Sequence, residues 1–107
     1  MQMRICLVFA CVILTAHAEI ITEMIQYKDG DTVLEGMIAY DDASTTKRPG
    51  VVVVHEWWGL NDHSKNSAKK LAELGYVGFA ADMYGKGVTT DDPAEAAAVR
   101  EVDLQRK

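Results

Sequence analysis

Pro49-Gly50-Val51-Val52-Val53-Val54-His55-Glu56-Trp57-Trp58-Gly59-Leu60-Asn61 is the stretch on which the reading of this 107-residue sequence turns. Valine is branched at Cβ and stiff at χ1, so four in a row favour a strand. Pro49-Gly50 bounds the run in front and polar residues bound it behind. An apolar run without alternation predicts a strand buried on both faces, as at the centre of a parallel sheet. After a loop over residues 55–61, Asn61 or Asp62 is placed to cap a helix from about Asp62 to Leu74. Ala68, Leu71, Ala72 and Leu74 give that helix an apolar side, and Lys65, Lys69 and Lys70 are expected to face water. Gly75 is its expected left-handed terminator. Tyr76 to Ala81 follows as a second apolar strand. Strand, helix and strand in this order predict a right-handed crossover in a doubly wound α/β sheet.

Working outward from the valines, Ile20 to Tyr27 reads as a strand. Lys28-Asp29-Gly30-Asp31 reads as a hairpin turn with Asp-Gly at its centre. Thr32 to Tyr40 is the partner strand, with Leu34, Ile38 and Tyr40 on one face and Gly36 leaving a gap between them. Residues 41–49 are polar, end in proline and form a loop. Downstream, Asp82 to Asp91 is a loop in which Asp82 is expected to bond nearby backbone. Asp92-Pro93-Ala94-Glu95 opens a second helix, with an aspartate cap, proline in the first turn and glutamate three residues after the cap. Val99 to Lys107 matches no motif. The fold class is therefore α/β, a β-hairpin followed by β-α-β-α, and an incomplete doubly wound sheet. Its open edges predict marginal stability for the chain alone.

Residues 1–18 are read as an export signal and set apart from the domain at residues 19–107. Arg4 supplies the positive start, Ile5 to Ala16 the apolar core and Ala16-His17-Ala18 the cleavage site. The twelve-residue apolar run is too short to span a bilayer, which takes about 20 residues as a helix. The expected location is periplasmic or secreted, with no membrane attachment after cleavage. Both cysteines, Cys6 and Cys11, fall within the signal. The exported chain is thus expected to have no disulfide and no thiolate nucleophile of its own.

Eleven Lys and Arg stand against sixteen Asp and Glu, a net charge of -5. Without a basic cluster the chain is a poor candidate for nucleic acid, whose phosphates demand cations. His55-Glu56 begins like a zinc-protease motif, but position 59 is Gly where the second histidine belongs. Gly85-Lys86-Gly87 lacks the remainder of a phosphate-binding loop, and Gly75 and Gly78 do not make a dinucleotide fingerprint. No metal and no cofactor is expected.

The loop after the valines is the candidate site. In open α/β sheets, ligands bind outside the carboxyl ends of the strands. Backbone N–H groups between such a strand and the next helix are placed to stabilise a negative oxygen during acyl transfer. Trp57 and Trp58 read as packing side chains, His55 as a hydrogen-bonded core histidine, and His63 as misplaced for a catalytic base.

Residues 48–61, together with Leu71-Ala72-Glu73-Leu74-Gly75-Tyr76 and Ala81-Asp82-Met83-Tyr84-Gly85, resemble two blocks of the dienelactone hydrolase family in its order and spacing. Leu34-Glu35-Gly36 and Ala39-Tyr40 resemble the family's opening hairpin. The resemblance covers roughly residues 22 to 95. It implies a partial α/β-hydrolase fold and cleavage of an ester or lactone, a small molecule, through a nucleophile–His–Asp triad. It implies that Glu56 helps to activate the nucleophile and that the backbone N–H of Trp57 forms half of the oxyanion hole. It also implies that Lys86, after the Asp-x-Tyr block, faces an anionic substrate.

One part of the pattern is missing. Ser44, Ser64 and Ser67 are not flanked by the glycines of a Gly-x-[Cys/Ser]-x-Gly elbow. The triad is therefore expected to lie beyond this chain, which reads as the amino-terminal half of the family fold. The alternatives are a non-catalytic binding module that kept the loop, or a non-functional truncated product.

Overall fold

The computed structural model describes residues 19–106, so the expected export signal at residues 1–18 lies outside the described residues. Six elements follow one another: β1 (Ile20–Asp29), β2 (Thr32–Asp41), β3 (Gly50–Val54), α1 (Asp62–Glu73), β4 (Val77–Ala81) and α2 (Pro93–Arg106). They form one mixed sheet in the order β1-β2-β4-β3, with β3 parallel to β4 and the other pairs antiparallel. This is the hairpin followed by β-α-β-α that the sequence predicts. The hairpin turns one residue later than expected. Asp29 pairs with Thr32, which leaves Gly30 and Asp31 as the loop.

The helix α1 begins and ends where its caps dictate. The Asn61 side chain accepts from the Ser64 N–H at 3.4 Å. At the other end, Gly75 N–H donates to the Ala72 carbonyl (3.1 Å) and Tyr76 N–H to that of Leu71 (3.0 Å). Those two bonds are the Schellman pattern, which satisfies carbonyls the helix would otherwise leave open. Leu74 departs from the expectation. It lies beyond the last turn, is 74% exposed and adds nothing to the apolar side. Lys65 is half-buried rather than free in water.

The core lies between α1 and one face of the sheet. Met37 and Ala39 from β2, Ala80 from β4, Ala68 and Ala72 from α1, and Leu60 form it, with Ile20 and Val53 packed against it. The face of β2 under the helix is thus the odd-numbered one. Leu34, Ile38 and Tyr40, read from sequence as the apolar face, turn to the opposite side, where Phe79 closes over Gly36. The helix sits close because β4 has no side chain at Gly78, whose Cβ would collide with the Ala68 backbone.

Among the described residues the burial of the valine strand alternates, Val52 and Val54 are 62% and 63% exposed, and β3 lies at one side of the four strands. Val51 and Val53 share the α1 side with Gly78 and Ala80 through the β3–β4 register. Nothing among the described residues covers the other side of Val52 and Val54. A uniform apolar run records the suitability of both faces for burial, not their occupancy.

At α2, Asp92 caps as predicted, its Oδ1 accepting from Ala94 N–H at 2.9 Å. Glu95 does not close the box back onto the cap. Its Oε2 accepts from the Thr90 hydroxyl at 2.6 Å, and that hydroxyl accepts from Asp92 N–H at 3.0 Å. Thr90 therefore bridges the two residues that a capping box would join directly.

Candidate functional site

Parallel pairing brings the ends of β3 and β4 level, with Val54 opposite Ala81. The two following loops, residues 55–61 and 82–92, therefore leave the sheet side by side. Thr90 N–H donates to the Trp58 carbonyl at 3.0 Å and ties them together. Gly59 makes that approach possible. Its φ is 89°, and a Cβ there would strike the Val88 carbonyl. Its N–H donates to the Glu56 carbonyl at 3.3 Å, which folds residues 56–59 into a turn.

Asp82 is the bolt of the second loop and is 2% exposed. Its Oδ1 accepts from Tyr84 N–H (3.0 Å) and Gly85 N–H (3.1 Å), and its Oδ2 from Glu35 N–H (3.0 Å). The expected local backbone bonds are there, and Glu35 adds a long-range one. Tyr27 clamps the same residue. Its hydroxyl donates to the Asp82 carbonyl at 2.8 Å and accepts from the Asp82 N–H at 2.7 Å. Burial, against the opposing effect of the hydrogen bond to the Asp82 backbone, holds the Tyr27 hydroxyl above its ordinary pKa. A buried carboxylate whose acceptors are filled by backbone donors stabilises the loop and does not serve as a ligand.

Glu56 and Trp57 come together at a cleft of about 260 Å³ that also takes in Val54, Met83, Tyr84 and Arg100. Both residues are exposed, Trp57 by 40%. The Trp57 ring packs against that of Trp58, centroids 5.0 Å apart. Among the described residues nothing accepts a hydrogen bond from the Trp57 N–H. His55 is buried, its Nε2 accepting from Met83 N–H at 3.0 Å and its ring edge-on to Tyr84 at 4.8 Å. It is the hydrogen-bonded core histidine read from the sequence. Lys86 is not part of the cleft. Its ammonium lies 3.6 Å from Glu35, and its N–H donates to the Val33 carbonyl at 2.9 Å.

A larger cavity, about 320 Å³, opens near the start of α1, bordered by Glu35, Asn61, Lys65 and residues 85–89. It takes in neither Glu56 nor Trp57. It is the larger of the two, but the smaller cleft is bordered by the strand-end residues whose backbone donors acyl chemistry needs, and it is the better candidate on chemical grounds. Among the described residues, no group of three or more His, Cys, Asp or Glu could hold a metal.

Sequence reasoning missed the far wall of the cleft. Arg100, Asp103 and Leu104 of α2 form it, and Arg106, at the end of that helix, ties α2 to the loop after β4. Its guanidinium donates to the carbonyls of Met83 (2.8 Å) and Tyr84 (3.3 Å) and to Asp103 Oδ1 (2.7 Å). Its Nε lies 3.3 Å from Asp29 Oδ2, within ion-pair range but off the line of the N–H. Only the i,i+3 spacing of Asp103 and Arg106 carries any of this in the sequence.

Comparison with known proteins bears on the same residues. The profile described as "Dienelactone hydrolase family" matches residues 34–107, and so takes in residues 99–107, where no motif was legible. A protein of Aquifex aeolicus, provisionally named as a carboxymethylenebutenolidase, is 36% identical over 77 residues, 69% of this chain and 32% of its own length. The solved structure "m3DLH" is 38% identical with a TM-score of 0.74, over 80% of this chain and 36% of that one. A dienelactone hydrolase-like promiscuous phosphotriesterase from metagenomic libraries is 36% identical with a TM-score of 0.73, over 83% and 36%. The chain thus spans about a third of the length of these relatives.

Proposed function

The chain belongs to the dienelactone hydrolase family, and from that premise we propose that it supplies the oxyanion-binding part of a hydrolase acting on an ester or lactone carbonyl. In this reading a Cys or Ser nucleophile, carried on an elbow outside these 107 residues, attacks the acyl carbon. The carbonyl π pair moves onto oxygen, and the Trp57 N–H stabilises that oxygen. Glu56 pairs with the proton of the nucleophile as it attacks. A His–Asp pair, also outside these residues, completes the triad. The oxyanion collapses, the acyl C–O bond breaks and the leaving oxygen takes a proton from the protonated histidine. That histidine then deprotonates the water that cleaves the acyl-enzyme, and the proton held by Glu56 returns to the nucleophile. Lys86 would meet an anionic substrate group only outside the cleft, because its ammonium is paired with Glu35.

The substrate is a small molecule, and the reaction as written uses no metal and no cofactor. Residues 1–18 direct export, with cleavage after Ala18. Among the described residues no helix is long and apolar enough to cross a membrane.

The observation that carries the reading is the meeting of Glu56 and Trp57 at one cleft beyond β3, with the Trp57 N–H unengaged. The test is hydrolysis of p-nitrophenyl acetate by the chain assembled with an elbow-bearing segment, in continuous frame or co-expressed. Glu56→Gln should lower kcat about a hundredfold. An unchanged kcat in a folded variant removes Glu56 from the mechanism. Absence of turnover in the wild-type assembly overturns the hydrolase reading.

A further inference from the structure

We propose that His55 is a positioning residue that sets the orientation and donor strength of the Trp57 N–H. The proposal rests on the reading of that N–H as an oxyanion donor. The imidazole is buried, with 8% of the residue exposed, and it is engaged at both nitrogens. Nε2 accepts from the Met83 N–H at 3.0 Å and so carries no proton in the neutral ring. The proton then resides on Nδ1, which lies against the Glu56 carbonyl oxygen and donates to it.

That carbonyl belongs to the same planar peptide group as the Trp57 N–H. Fixing the oxygen therefore aims the hydrogen. The oxygen accepts a second bond, from Gly59 N–H at 3.3 Å, so the peptide is gripped from the imidazole and from the turn. A carbonyl that accepts hydrogen bonds draws density from its own amide, which strengthens the N–H as a donor.

The chain of bonds continues on the other side of the ring. The Met83 carbonyl accepts from Arg106 at 2.8 Å, the Met83 N–H donates to His55, and His55 donates to Glu56. The far end of α2 is thereby connected through one residue of the β4 loop to the peptide that joins Glu56 and Trp57. His55 lies in the wall of that cleft, but it reaches the acyl oxygen only through the Trp57 amide.

The test uses the assembled protein with ¹⁵N-labelled histidine. Nuclear magnetic resonance should find the His55 proton on Nδ1. His55→Phe keeps the ring against Tyr84 and removes both hydrogen bonds. It should lower kcat about tenfold, leave KM within about twofold and move the Trp57 amide proton resonance. His55→Gln, which retains one donor and one acceptor, should recover part of the loss. A proton on Nε2, an unchanged kcat in His55→Phe, or a raised KM at constant kcat each overturns the proposal. Should His55→Phe fail to fold, the wild-type tautomer decides, because a proton on Nε2 leaves no donor for the Glu56 carbonyl. Failure of the hydrolase reading shows separately, as an assembly without turnover or an unchanged kcat in Glu56→Gln, with the tautomer and the Trp57 amide signature still in place.

Discussion

The two faces of the four-stranded sheet are built from similar residues and have different fates. Under α1, Met37, Ala39 and Ala80 are almost completely buried against Ala68 and Ala72. On the opposite face, the Tyr27 and Phe79 rings, 6.0 Å apart, cover the middle, while Val52 and Val54 remain open. Where α1 crosses β4 the covered face is lined by Gly78 and Ala80, while the opposite face of the same strand carries Phe79. Close approach of a helix is decided by what is missing from the strand beneath it. Gly78 and Ala80 let α1 descend, and apolarity alone would not have done so.

That contrast yields three expectations beyond those for Glu56 and His55. The largest effect belongs to Gly78→Val, which places two methyls where the Ala68 backbone already sits. It should cost about 3 kcal/mol or prevent folding, read as the midpoint of urea unfolding. A midpoint close to wild type would mean that α1 is not seated as described. A finer comparison comes from neighbours on one strand. Val53→Ala, beneath α1, should cost about 1–2 kcal/mol, whereas Val52→Ala, 62% exposed, should stay within about 0.5 kcal/mol. Equal costs would show that something covers the far face in solution.

The third expectation concerns Tyr27→Phe, which removes the clamp on Asp82 at a cost of about 1 kcal/mol near neutral pH. Its pH dependence has a definite sign. The folded pKa of Tyr27 is raised by burial above the ordinary 10.0. The unfolded chain therefore loses this proton first, and stability present below pH 10 declines as pH rises toward the folded pKa. Tyr40 shifts in the same direction on the exposed surface. The difference between wild type and Tyr27→Phe isolates the Tyr27 contribution, and identical alkaline profiles would refute it.

Much of the fold was legible wherever local chemistry decides. Asn61 and the Gly75 turn bound α1, Asp92 starts α2, and the valines make a strand. Each of these depends on a few adjacent residues meeting their own backbone groups. The candidate site was legible in part for the same reason, since Glu56 and Trp57 follow directly from the end of β3. The partners across the cleft were not. Arg106 reaches Met83 and Tyr84 from more than twenty positions away, and Lys86 meets Glu35 across the sheet. Single-sequence patterns carry no term for such pairings.

The order of elements, the caps of α1, the start of α2 and the adjacency of His55, Glu56 and Trp57 were settled by the amino-acid string itself, because steric and capping preferences act over a few residues. The odd-numbered face of β2 under the helix, the register that sets β3 beside β4 and the two-sided grip on the His55 ring were settled only by tertiary structure. Each of these depends on which distant backbone arrives within hydrogen-bonding or van der Waals range, and the strand order β1-β2-β4-β3 determines that.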